Sequence, residues 1–248
     1  LFRALIDVTW EHEMKSVTKS WKNAIAVGGL ALGLMAPVSV ALADSDSIVA
    51  PPHSNAYGNK YSEWSAAWWQ FVLSIPAAGN PLLDPDGSQC VVGQRGPVWF
   101  LAGSFDGATR VCSIPEGTAL FFPVINVVDV NTTNQTVEEL RRETAPCLDA
   151  VTSLSVVVDG VPVRNLNKKF RVRSEVFAIT LPADNLFGID AGTYSPAIDD
   201  GIYVMLNPLS VGPHTLHFEG ASDGCTLLGG PFSVSVTYDL TIVPVSLE

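Results

Sequence analysis

Ser222 lies in Gly220-Ala221-Ser222-Asp223-Gly224, a GxSxG string of the kind that carries the nucleophile of many serine hydrolases. A serine hydroxyl attacks a carbonyl only when a base stands beside it and an acid orients that base. His214 and His217 precede the string, and Asp199 supplies an acid, so a secreted esterase-like hydrolase is one reading. Two features depart from the hydrolase pattern. The nucleophile elbow needs a helix after the serine, whereas Cys225 and the turn Gly229-Gly230-Pro231 follow, ahead of a strand. No histidine occurs after Ser222, which excludes the order Ser, acid, His and leaves only a convergent arrangement. The competing reading is a glycine-rich hairpin loop with no catalytic role.

Aromatic residues offer a second chemistry. Trp64, Trp68 and Trp69 fall close together, and Trp99 lies in an apolar run. Exposed indoles stack on sugars and other flat ligands, but tryptophans on a helix's apolar stripe pack into the core. Trp64 and Trp68 fall on such a stripe. Trp69 falls on its flank and is the candidate ligand contact, with Trp99 second.

Asp84 and Asp86 stand in Asp-Pro-Asp-Gly, part of a calcium-loop pattern without its distal glutamate. The same four residues make an ideal turn, which is the preferred reading. Asp199-Asp200-Gly201 has the same ambiguity. His214 and His217 are three apart, facing opposite ways in a strand, while His217 and Glu219 share a face; two ligands do not make a metal site. Lys168, Lys169, Arg171 and Arg173 concentrate positive charge, as a solvated strand face or as an anion-binding stripe.

Four cysteines, Cys90, Cys112, Cys147 and Cys225, make an even set without a CxxC pair. Disulfides are expected over zinc. Three pairings exist. Cys90–Cys112 across a local hairpin and Cys147–Cys225 between a helix and the final sheet are preferred. No cofactor is expected.

These residues need a scaffold. Tyr61, Trp64, Trp68, Phe71, Val72 and Ile75 recur with helical period up to Pro76. Thr136 and Glu139 form a capping-box pattern for a second helix from about Val137 to Thr144, stopping near Pro146. Asp159-Gly160 between apolar runs predicts a hairpin. Phe232, Val234, Val236, Tyr238, Leu240 and Ile242 alternate with polar residues, the clearest strand of the chain. Eight to ten strands with tight turns predict a mostly β fold: an antiparallel β-sandwich, immunoglobulin-like or jelly-roll-like, with one or two short helices.

The 248 residues carry 47% apolar residues and a formal net charge of −11, enough apolar material for a core and the wrong sign for nucleic acid or anionic membranes. Residues 1–13 read as an upstream segment. Residues 14–43 read as a bacterial signal peptide: Met14, then Lys15, Lys19 and Lys22, an apolar run broken by Pro37, and the small-x-small site Ala41-Leu42-Ala43. A retained membrane anchor is the alternative. Residues 44–58 are expected to be a flexible leader and 59–248 a single β-rich domain, with 59–130 as a possible lobe beside a sandwich over 150–245.

One set of motifs covers most of the expected mature chain. It comprises Trp64, Trp68, Trp69 and Gln70; Asn80 and Pro81; Cys90; Gly93 and Gln94; Gly96 through Gly103; Arg110, Cys112, Ile114, Pro115 and Gly117; Leu120 through Pro123; and then Asp200 and Gly201, Leu209, Gly212 through Thr215 and a final strand through Tyr238. Together these resemble a group of exported bacterial proteins without an assigned activity. The resemblance implies export and the Cys90–Cys112 bridge, and it implies no catalytic residues. The expected protein is therefore a secreted or periplasmic, non-catalytic binding or structural domain. Its partner would be a small molecule, a polysaccharide or a protein, with no nucleic acid and no stable membrane anchor after processing.

Overall fold

The computed structural model describes residues 48–245. The upstream segment, the signal peptide and the anchor alternative lie outside the described residues. Ten strands run β1 Val98–Phe100, β2 Ala108–Pro115, β3 Ala119–Val130, β4 Val151–Val158, β5 Val161–Pro162, β6 Arg171–Arg173, β7 Phe177–Leu181, β8 Gly192–Leu206, β9 Gly212–Cys225 and β10 Gly230–Val243. Helices α1 Tyr61–Ser74, α2 Val137–Asp149 and the four-residue α3 Leu166–Lys169 complete the set. No helix among the described residues is long and apolar enough to cross a membrane.

The strands form two sheets, β1-β3-β8-β6 with β7 also on β8, and β2-β10-β9-β4-β5. The mostly β, sandwich-like expectation holds. Pure antiparallel pairing does not: β1 runs parallel to β3, and β2 parallel to β10. Parallel neighbours need a crossover, and here β2, in the opposite sheet, lies between β1 and β3 in the chain. Each sheet draws strands from both halves of the chain, so residues 59–130 do not stand apart as a lobe.

Burial explains the sequence pattern of each sheet. In β10 the expected alternation appears, with Val234, Val236, Tyr238, Leu240 and Ile242 buried and one face turned to solvent. Strand β3 instead reads as a near-continuous apolar run, and β8 is buried without alternation from Ala197 to Leu206, because their sheet is covered on both faces. On one side Phe122 stacks on Phe218, with ring centroids 4.6 Å apart. On the other, Phe121 stacks on Tyr203 at 5.3 Å and meets Tyr61 of α1 edge-on at 5.7 Å.

Local signals behave as their chemistry dictates. Thr136 and Glu139 form the reciprocal cap of α2, with the Thr136 amide donating to Glu139 Oε2 at 2.8 Å. That helix continues through Pro146 to Asp149, beyond the expected stop, where the buried Cys147 and Leu148 anchor its last turn. Asp159 and Gly160 adopt the paired positive φ angles, 50° and 79°, of a tight hairpin between β4 and β5. The leader expected over 44–58 is, from Ile48 on, part of the packed domain: Val49 bridges Leu206, and Tyr61 donates its hydroxyl to the Ala50 carbonyl at 2.5 Å.

Both expected disulfides are present, Cys90–Cys112 and Cys147–Cys225. The second closes a span of 78 residues and ties α2 to the end of β9, for which chain-entropy stabilisation is about 4 kcal/mol. The first does not close a hairpin, since β1 and β2 belong to different sheets. Cys90 instead belongs to a turn-rich segment laid along the outer edge of β2, where Val111 donates its amide to Asp86 O at 2.8 Å. Gly87 permits this approach: its φ is +97°, and a Cβ there would run into the Val111 backbone.

Arg110 of β2 is 1% exposed. Its guanidinium donates to three carbonyls, Asp84 O at 2.7 Å, Ala102 O at 2.7 Å and Gly103 O at 3.3 Å, and to Tyr238 Oη at 2.9 Å. Arg110→Met leaves the Asp84 and Gly103 carbonyls unpaired in a dry interior, while Ala102 O keeps the Tyr238 hydroxyl. The expected loss is on the order of 3–5 kcal/mol. Urea unfolding checks it, and a loss under about 1 kcal/mol would contradict the hub role.

Candidate functional site

The pocket of interest begins where β1 ends. Strand β1 covers the β3 edge only over Ala119–Phe121, after which the chain leaves at Leu101 toward the other sheet. Beyond that point the edge of β3 has no strand neighbour among the described residues. Ala119 N and Phe121 O both engage the β1 segment, so Pro123, of the same parity, turns its nitrogen to the open edge. Proline has no N–H to leave unpaired there.

The open edge forms one wall of a pocket enclosing about 60 Å³. Trp68, Trp69 and Leu73 of α1 form another wall, facing Pro123 and Val127 of β3. The lining is apolar apart from the Ser104 and Asn126 side chains. Leu83 and Phe105 stand at its rim, each 52% exposed. Apolar side chains held open beside a cavity mark a place where an apolar group can be taken out of water.

Behind the pocket lies a buried polar chain. Asn126 Nδ2 donates to Tyr203 Oη at 2.9 Å, and Tyr203 donates to Asp199 Oδ1 at 2.9 Å. Ser65 and Trp69 also turn toward the Asp199 carboxyl. Asp199 Oδ2 and Trp69 Nε1 are buried without a well-formed hydrogen bond among the described residues. Desolvation, then the neighbouring Asp200 charge, pushes Asp199 up to about 7, against hydrogen bonds that favour the anion. Asp129 in a neighbouring cleft is pushed up to about 6, by desolvation first and Glu143 second. Asp200 points the other way and accepts from Arg171 Nε at 2.9 Å and Arg173 Nε at 3.1 Å.

The hydrolase residues are not brought together. Residues 212–225 form one long strand, so the GxSxG string is neither an elbow nor the expected hairpin loop. Gly220 is there for packing: a Cβ would lie 2.9 Å from Ile125 Cβ of the facing sheet. Ser222 is 1% exposed and donates its hydroxyl to Cys147 O at 2.6 Å. At about 3.3 Å per residue, Ser222 is roughly 26 Å from His214 and roughly 16 Å from His217 along β9. His214 Nδ1 bonds Asp159 at 2.7 Å, His217 Nδ1 bonds Thr237 at 3.0 Å, and Asp199 lies in the other sheet.

The remaining candidates fall as follows. Trp69 is 5% exposed, meeting Trp68 edge-to-face at 4.9 Å, so it offers the pocket a wall and not an open stacking face. Trp99 is half-buried against the core, its Nε1 without a partner among the described residues. Asp84 caps its own turn, Oδ1 accepting Gly87 N at 2.9 Å and Oδ2 accepting Gln89 N at 3.0 Å. Asp86 accepts Ser88 N at 3.0 Å, which holds its carboxyl below its ordinary range. Among the described residues no group of three or more His, Cys, Asp or Glu could hold a metal. Sequence reasoning missed Leu83, Phe105, Ser104 and Asn126. The available signal was large apolar residues, Leu83 and Phe105, stranded among turn formers.

Asp199 gives a pH test. Below about pH 3.8 its carboxyl is protonated folded and unfolded, with no penalty. Between that and about 7 only the unfolded chain ionises, so stability falls as pH rises, by on the order of 4 kcal/mol at full burial. Asp199→Asn is expected to lose less Tm between pH 5 and 8 than the parent; identical slopes would refute the assignment. Ser222→Ala is expected to cost on the order of 1–2 kcal/mol in stability through the lost Cys147 bond. No family model, curated protein or solved structure matches the chain, so the reading of these sites rests on their geometry.

Proposed function

We propose that this chain is an exported bacterial binding domain, non-catalytic, that takes a small apolar molecule in the pocket between α1 and the open edge of β3. The supporting observation is the pocket itself: apolar walls from Trp68, Trp69, Leu73 and Val127, with Leu83 and Phe105 kept exposed at the rim. The space is narrow, which favours a ring edge or short alkyl group over a folded partner. Ser104 and Asn126 supply polar contacts. Asn126 spends its amide N–H on Tyr203, and its Oδ1 has no hydrogen bond among the described residues. The two disulfides fit an oxidising, extracytoplasmic setting, and the secreted or periplasmic location follows from the signal-peptide pattern.

A neutral fluorescent apolar probe, N-phenyl-1-naphthylamine, tests the reading. Saturable binding with quenching of tryptophan emission is expected. The double variant Leu83→Asp with Phe105→Asp is expected to raise Kd by about tenfold or more, because burying such side chains is worth about 1.5–3 kcal/mol each. Both positions are half exposed, so Tm is expected to stay near the parent value. No saturable binding, or unchanged affinity in the variant, would sink the proposal.

A further inference from the structure

At the other end of α1 a second cleft, about 320 Å³, opens between residues 52–55, the first turn of α1 and the α3–β6 strip. Four of the chain's 14 lysines and arginines line it, Lys60, Lys169, Arg171 and Arg173, in a chain of formal net charge −11. The sequence reading of an anion-binding stripe included three of these. Lys168 lies outside the cleft, and Lys60 joins from a distant part of the chain.

The cations are not equivalent. Arg171 is fully engaged, by Asp200 through Nε and a terminal nitrogen and by Asp149 at 2.6 Å. Arg173 is held at one point only, Nε to Asp200 Oδ2 at 3.1 Å, with its side chain 56% exposed. Its two terminal nitrogens have no partner among the described residues. The buried Asp200 carboxylate, 2% exposed, therefore fixes the orientation of a guanidinium whose free edge stays available. Lys60 and Lys169 make no ion pair among the described residues. Asp200 and Asp149 balance the two arginines, Glu63 accepts the Lys60 amide at 2.7 Å outside the lining, and the residues that line the cleft carry positive charge and no carboxylate.

We propose that this cleft binds a tetrahedral oxyanion, the phosphate group of a small molecule or phosphate itself. Arg173 presents two N–H groups to one edge of the anion, and Lys60 and Lys169 supply charge from either side. Bidentate guanidinium contact with point-charge support is the arrangement that recognises phosphate. The proposal is independent of the apolar pocket.

The test is an amide NMR titration of the disulfide-bonded protein at low ionic strength, with inorganic phosphate, methyl phosphate and acetate in separate arms. Saturable shifts at Tyr61 and Ser62 are expected with both phosphates, and weaker binding with acetate. Tighter methyl phosphate would identify an ester group as the ligand, and tighter inorganic phosphate the free ion. Arg173→Gln and the pair Lys60→Gln with Lys169→Gln are each expected to raise Kd by about tenfold. Lys168→Gln, which removes a charge next to the cleft but not in it, is expected to leave Kd unchanged. Absence of saturable shifts, acetate binding as tight as phosphate, or an equal loss in Lys168→Gln would overturn the proposal.

Discussion

The Arg110 guanidinium is the constraint around which the two sheets are arranged. A buried cation must find acceptors for its donors, and here the acceptors are mostly backbone carbonyls that belong to no ladder. Asp84 O comes from the turn segment, Ala102 O and Gly103 O from the chain crossing between sheets, and Tyr238 Oη from β10. Those carbonyls would otherwise be costly to bury. The crossing segment and the cation satisfy each other, and the route of residues 101–104 sets where β1 stops. Where β1 stops decides which part of β3 is left open. The pocket is thus a downstream result of how one arginine is solvated.

Asp199 and Asp200 show how one strand serves two surroundings. Adjacent residues of β8 point to opposite faces, so neighbouring carboxyls meet different physics. Asp199 lies under α1 with a tyrosine and an indole for company, and burial favours its neutral form. Asp200 meets two guanidiniums and holds β6 and α2 in place through Arg171. Gly201 follows because Asn126 and Tyr203 leave no room for a Cβ. What reads in sequence as a short acidic turn or cation loop is a strand whose polarity is set by what covers each face.

Legibility in the sequence followed the range of the interaction. The capping box at Thr136, the Asp159-Gly160 turn and the β10 alternation are short-range patterns, and all appear as expected. The cysteine pairing was also legible, though for Cys90 and Cys112 the geometry that joins them is a strap along an edge and not a hairpin. Trp69 misled because the buried stripe of α1, Tyr61, Ser65, Trp68, Trp69, Val72 and Leu73, is rotated from the expected one, leaving Trp64 and Phe71 only partly buried and bringing Trp69 inside. Ser222 misled because a string motif carries no information on whether its backbone is bent or extended. Arg110, Asn126 and Lys60 gave no local signal, since each owes its role to groups far away in the chain.

The strap along β2 has a consequence for how the molecule behaves in company. Strand β2 is a sheet edge, and its outward Val111 is 64% exposed. An uncovered edge of this kind is a template on which another chain can add a strand. Residues 86–90 occupy that template, held by the Val111–Asp86 bond and the Cys90–Cys112 bridge. The bridge therefore fixes in place the segment that covers this edge, as well as cross-linking the fold. Without the bridge, the Val111–Asp86 bond is left to hold the strap against an edge of the kind on which another chain can add a strand.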